Sequence, residues 1–307
     1  MIGVFVQSTD AREAVETIRQ AEGHGVEAVW LTQAGVAPDS MAVLAAAAAV
    51  TERIKLGTSI IPTWPRPPVL IAQQTLALAM LAPGRFRLGI GPGTAAGMEP
   101  LYGVHWRRPM SQMREYLTVL RALLHEGRTE FDGKFVKARA RLSSPVDVPV
   151  MASALGLGAF RLCGEVAEGA ITWMCSWSYL RDVALPALRE GATAAGRTPP
   201  PLIAHVPVCL SEDQNAVRQA AREQVGRYSQ FPVYQAMFAA GGYGDVAGGL
   251  TDALIDDLVV SGTAAAVRER LGRLLAEGAG ELLVHPLILG EDRRGYLDRM
   301  FEALAKA

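Results

Sequence analysis

The chain has 307 residues, of which 50% are hydrophobic and 20% charged, and a formal net charge of −1. This composition excludes a disordered chain and supports a sizeable core. Near-neutral charge without a long run of one sign argues against nucleic acid or an anionic membrane as the main partner.

Met1–Gln7 opens on a short β-rich run and lacks the basic-then-apolar layout of a signal peptide. Similar runs follow at Ala28–Leu31, Ile54–Ile61 and Phe86–Gly91, after a first at Ile2–Val6. The second half supplies Val148–Ser153, Ala170–Met174, Ile203–Leu210 and Glu281–His285. All are apolar along their length without alternation, as strands covered on both faces are. Amphipathic helices are predicted between them. One runs over Asp10–His24 from a capping Asp to the glycines at 23 and 25, and Val69–Leu81 ends at Pro83-Gly84. Ser111–Glu126 ends at Gly127, and Thr263–Glu277 runs from a capping Thr to Gly278. The longest apolar run, Met41–Val50, is too short to span a bilayer and reads as a buried helix. Eight β/α units in one chain imply an α/β fold, a single (β/α)8 TIM barrel with loop insertions, occupying residues 1–307 as one domain.

Two segments interrupt the rhythm. Thr129–Arg141 contains Asp132-Gly133, a hairpin signal, and reads as a small excursion. Gln230–Leu250, rich in glycine and aromatic residues, is long for a barrel loop and reads as a lid.

Several familiar chemistries find no support. Gly91-Pro92-Gly93-Thr94-Ala95-Ala96 matches a dinucleotide fingerprint on paper, but Pro100 and Gly103 leave no long helix to hold a pyrophosphate. There is neither a Walker A sequence nor a Gly-x-Ser-x-Gly elbow. His24, His105, His125, His205 and His285 have no ligand spacing, so no metal site is expected. His205 and His285 fall on predicted strands and read as hydrogen-bonded interior histidines. Cys163, Cys175 and Cys209 are widely spaced and odd in number, which fits a reducing cytoplasm.

The stretch Leu56-Gly57-Thr58-Ser59-Ile60-Ile61-Pro62-Thr63-Trp64-Pro65-Arg66-Pro67-Pro68, with Ala72-Gln73-Gln74 after it, resembles the third strand and loop of the bacterial luciferase-like monooxygenase superfamily. Pro83-Gly84-Arg85-Phe86 leading to Gly89-Ile90-Gly91 resembles its fourth strand, and Met113-Arg114-Glu115-Tyr116-Leu117 its next helix. Pro149–Ala154, Gly156–Gly158, Gly164-Glu165 and Gly169 resemble its fifth strand and phosphate loop. Together these cover most of the chain in order. Within the superfamily, the strand ends Trp30-Leu31-Thr32-Gln33 and Trp173-Met174 look most like the actinobacterial branch that depends on coenzyme F-420, a 5-deazaflavin.

The resemblance implies a non-proline cis peptide between Ser59 and Ile60, whose bulge backs the middle ring of the cofactor. It implies cofactor contacts at Thr32, Ser59, Ile60, Gly91, Ala154, Gly156, Leu157 and Gly158. Independently of resemblance, glycines just before a helix suit phosphate, because free N–H groups point out and no Cβ blocks the approach. A plain strand-to-helix turn is the competing reading of the same residues.

The departures bear on mechanism. Deazaflavin enzymes of this superfamily often place an acidic residue and a histidine after the second strand, where this chain has Thr32 and Gln33. A carboxylate often follows the fourth strand, where this chain has Thr94. Gln33 and Thr94 can orient a ligand by hydrogen bonds but do not titrate near neutrality. His105, Glu99 and Arg66 lie in predicted mouth loops as alternative proton donors or anion clamps, and we take Gln33, Thr94 and His105 as the catalytic candidates. The expected activity is hydride transfer between coenzyme F-420 and a small organic substrate, as reduction of an activated C=C or C=N bond. An FMN-dependent monooxygenase of the same fold is the alternative, and a cofactor-binding protein without catalysis the third reading. A homodimer is expected from the resemblance.

Overall fold

The computed structural model describes residues 1–7 and 9–305. Its centre is a closed ring of eight parallel strands: β1 (Ile2–Phe5), β2 (Ala28–Leu31), β3 (Lys55–Thr58), β4 (Phe86–Gly91), β5 (Val150–Ser153), β6 (Ala170–Ile171), β7 (Leu202–Cys209) and β8 (Glu281–Pro286). Each strand pairs with the next, and β8 closes on β1 through Ile2 opposite Leu282. These are the eight runs marked in the sequence. β4 has the expected bounds, whereas β6 stops at Ile171, short of Met174, whose φ is 54°. The expected third strand is split. β3 ends at Thr58, the Ser59–Ile60 peptide is cis, and pairing with β4 resumes at Ile61–Pro62.

The period of two along a strand sorts side chains into lumen and outer face. Phe5, Trp30, Met151, Ile171, Ile203 and Leu283 fill the lumen as one small apolar cluster. The outward residues join the larger core between strands and helices. Below the lumen cluster, Arg87 and Glu281 form a buried ion pair, and the guanidinium sits 4.3 Å from the Trp30 ring centroid. Trp30 Nε1 donates to Glu281 Oε1 at 3.1 Å. Gly57 is required here, because a Cβ on it would lie 2.4 Å from the Trp30 ring.

The helices are stopped locally, as their sequences predict. Asp10 caps Ala11–His24 by accepting from the amides of Arg12 and Glu13, and Gly25 ends it at φ 87°. Thr263 caps Ala264–Ala276 through the Ala266 amide. Two insertions depart from the barrel plan. The hairpin Arg128–Asp132 with Lys137–Arg141 is the expected excursion. After the helix Gln214–Val225, the chain runs through a tight turn at Gly226–Gln230 and a helix at Pro232–Ala240.

Candidate active site

Two residues beyond each lumen position, in or just past the strand, the same parity turns another side chain inward. Phe5 is thus followed by Gln7, Trp30 by Thr32, Met151 by Ser153, Ile171 by Trp173, Ile203 by His205 and Leu283 by His285. All but His205 line a cavity of about 1000 Å³ at the carboxyl end of the barrel. This end is where barrel enzymes place their chemistry. Pro92–Ala96 and Trp106 form one wall, and the first turn of Leu157–Val166 forms another. The insertion supplies Arg227, Tyr228, Phe231 and Tyr234 to the same cavity. Of the segment Gln230–Leu250 read as a lid, Phe231–Tyr234 line the cavity, whereas the glycine-rich 241–249 stretch does not.

The expected cofactor residues are largely brought together. Thr32, Ser59, Ile60, Gly156 and Gly158 line the cavity. The Thr32 hydroxyl donates to the Ser59 carbonyl oxygen and lies 3.3 Å from Ser59 Oγ, so β2 braces the cis peptide. Gly91 sits behind the wall. A Cβ there would lie 2.4 Å from Ser153 Oγ and 2.9 Å from the Ile60 side chain. Ala154 is buried, and its N–H donates to the Ile171 carbonyl at 2.9 Å. The Leu157 side chain is turned outward, 44% exposed, so only its backbone is available to the site. Leu157–Val166 has Gly156 at its cap position and no side-chain cap, and Cβ atoms on Gly156 or Gly158 would meet nothing within 4 Å. That is an open cradle of first-turn amides facing a cavity.

The catalytic candidates fare less uniformly. Thr94 lines the cavity; its hydroxyl oxygen accepts from the Gly97 amide at 3.2 Å, leaving its proton free to donate. Gln33 does not reach the cavity. Its Nε2 donates to the Ala37 carbonyl at 3.3 Å, and its Oε1 accepts from the Ser40 amide at 2.9 Å. Both ends of the amide are engaged in holding the loop that starts Ser40–Ala48. His105 is exposed and outside the cavity lining; its neighbour Trp106 turns in instead, with Nε1 donating to the Pro92 carbonyl at 2.9 Å. Glu99 accepts from the Trp106 amide at 3.0 Å, and Arg66 pairs with Asp39, so both serve the loops around the mouth.

His205 and His285 are hydrogen-bonded interior histidines on strands, as the sequence predicts; sequence reasoning missed that they meet each other and Trp173 at the cavity. His205 Nδ1 accepts from the Met174 amide at 3.1 Å, and His205 Nε2 lies 3.1 Å from His285 Nδ1. Trp173 stacks on His205 at 3.8 Å, and its indole N–H has no partner among the described residues. Burial pushes His205 well below the ordinary histidine range, with His285 adding to the effect. Burial, then the charges of Arg227 and Arg293, push His285 down to about 4. The available signal was parity: Glu281, Leu283 and His285 share the lumen face, with His285 outermost. Among the described residues no group of His, Cys, Asp or Glu could hold a metal ion.

A family model described as luciferase-like monooxygenase matches residues 3–281. The chain is 27% identical over 302 residues to a 5,10-methylenetetrahydromethanopterin reductase of Methanolobus tindarius, covering 91% of each chain. It is 36% identical over 197 residues to an F-420-dependent glucose-6-phosphate dehydrogenase of Beutenbergia cavernae, a match spanning 62% of this chain and 58% of that one. It shares its fold with an F-420-dependent secondary alcohol dehydrogenase solved with an F-420–acetone adduct, at TM-score 0.81 and 22% identity over 99% of this chain and 98% of that one.

Proposed function

The chain belongs to the luciferase-like monooxygenase family, and on that premise we propose that it is an oxidoreductase using coenzyme F-420 to reduce an activated C=C or C=N bond of a small organic substrate. The names of its relatives support the cofactor, and two observations on the cavity fit it. The amides of the Leu157–Val166 first turn face the cavity across Gly156 and Gly158 with nothing in the space a Cβ would take. Such a turn receives a phosphate by its N–H groups and helix dipole. The Trp173 indole N–H is a buried donor without a partner among the described residues, and a ring carbonyl or nitrogen would satisfy it.

Bound deazaflavin supplies the hydride chemistry; the protein supplies position and electrostatics. Ile60, set by the cis peptide and the Thr32 brace, offers an apolar surface on the cavity floor. Thr94 offers a hydroxyl donor, and Tyr228, Phe231 and Tyr234 exclude water from above. Among the described residues neither Asp nor Glu lines the cavity. General acid catalysis is typically worth about 10²–10⁴-fold, so a site without a carboxylic acid favours acceptors already activated toward hydride.

The test is a titration of purified protein with F-420, followed by fluorescence quenching, beside a parallel FMN titration. Tighter binding of F-420 is expected. Micromolar FMN binding with no F-420 quenching would reverse the reading and restore the FMN monooxygenase alternative.

A further inference from the structure

The hydrogen bonds around His205 and His285 have a direction that can be read link by link. A backbone N–H can only donate, so His205 Nδ1, 3.1 Å from the Met174 amide, is an acceptor. A neutral imidazole with Nδ1 as acceptor carries its proton on Nε2. That proton faces His285 Nδ1 at 3.1 Å, which makes His285 Nδ1 the acceptor in turn. The proton of His285 then resides on Nε2, for which no hydrogen-bond partner is found among the described residues, in a residue that lines the cavity.

We propose that His285 is the substrate-facing hydrogen-bond donor of this site, locked by the positioning residue His205 in the Nε2–H form, and that it selects substrates bearing a carbonyl oxygen or imine nitrogen. This rests on the F-420 reading for the reaction but not for the tautomer. The lock has a chemical consequence. To act as a base toward a substrate hydroxyl, the ring would have to accept at Nε2, where it already carries its proton. Moving that proton to Nδ1 would place it against His205 Nε2–H. The site therefore polarises an acceptor and takes no proton from an alcohol.

The surroundings agree. The titratable and charged groups around the His285 ring are His205 on β7 and the guanidiniums of Arg227 and Arg293; burial and the two guanidiniums disfavour an imidazolium at His285, and burial disfavours one at His205. The ring is also held sideways, with Phe5 edge-on at 5.0 Å and Trp173 at 5.6 Å. The remaining lining side chains that could take a proton are Tyr228 and Tyr234, and burial drives the Tyr234 hydroxyl well above its ordinary range, toward the neutral donor form.

Nitrogen NMR of protein labelled at histidine tests the tautomer without any cofactor. Both rings are expected neutral and Nε2-protonated from about pH 5.5 to 8. A His285 ring protonated on Nδ1, or on both nitrogens at neutral pH, overturns the assignment. His205→Leu should free His285 to populate both tautomers, while burial and the guanidiniums of Arg227 and Arg293 keep its titration below the ordinary histidine range. An unchanged His285 spectrum in that variant overturns the lock. His205→Gln, which retains an N–H donor, should keep the wild-type spectrum and covers the case in which the Leu variant fails to fold. With oxidised F-420 supplied, propan-2-ol should not be oxidised, and measurable oxidation overturns the donor-only role. Absence of F-420 quenching would instead sink the cofactor reading and leave the NMR outcome standing by itself.

Discussion

Arg87 on β4 and Glu281 on β8 meet inside the barrel as a two-pronged ion pair, with one prong at 2.8 Å, though 194 positions separate them. Trp30 completes the unit from both sides, donating to the carboxylate and lying under the guanidinium. Removing one partner leaves a buried charge without its counter-ion, a loss of about 3–5 kcal/mol. Glu281→Ala should therefore destabilise strongly in urea unfolding. Arg87→Met combined with Glu281→Leu should be far milder than the sum of the single changes. Additive costs would show that the pair is not acting as a unit.

Gly158 lies in the first turn of a helix with open space in front of it. Replacement by Ala should raise helix stability by roughly 0.5–1 kcal/mol, since glycine loses more conformational freedom on folding. The same Cβ projects into the cradle, so F-420 affinity should fall by about tenfold, or 1.4 kcal/mol. The opposite signs make the test specific: thermal unfolding and fluorescence quenching on one variant. Unchanged affinity would remove this turn from the cofactor site.

Gln33 and Thr94 differ only after folding. Gln33→Ala should lose two loop hydrogen bonds and lower stability by about 1–3 kcal/mol, while F-420 affinity shifts little. Thr94→Ala should cost about 1 kcal/mol of cap stability and also lower kcat/KM on an active substrate. A catalytic loss for Gln33→Ala without a stability loss would return that residue to the reacting centre.

The two histidines make the fold acid-sensitive. His285 is held at about 4 and His205 well below its ordinary value, whereas both titrate near about 6.5 when unfolded. Between those values the unfolded chain binds more protons than the folded one, so stability falls as pH falls from about 6.5 toward 4. Each histidine contributes a slope of at most about 1.4 kcal/mol per pH unit in that window. Urea midpoints at several pH values should show the decline in wild type and a shallower one in His285→Asn. Identical slopes in the two proteins would contradict a neutral, buried His285.

The sequence by itself determined the eight strands, the ends of helices such as Ala11–His24 and Ala264–Ala276, and the lobes that interrupt them, because these depend on neighbours close in the chain. A short apolar run without alternation, rich in β-branched residues, fits a strand covered on both faces, and caps such as Asp10 and Thr263 bond amides two or three residues away. The glycine turn at 156–158 was legible for the same reason, and residues quoted by resemblance, such as Ser59 and Ile60, came to the cavity floor. What a side chain meets across the barrel was decided by tertiary structure alone. Gln33 and His105 sit at strand ends and in mouth loops like the residues that do enter the cavity, yet one is engaged by its own loop and the other faces solvent. His205 and His285, 80 positions apart, and Arg87 and Glu281 become partners through closure of the ring. Closure fixes the stagger of each strand against the next, and the two-residue period then carries these side chains into the lumen at matching heights.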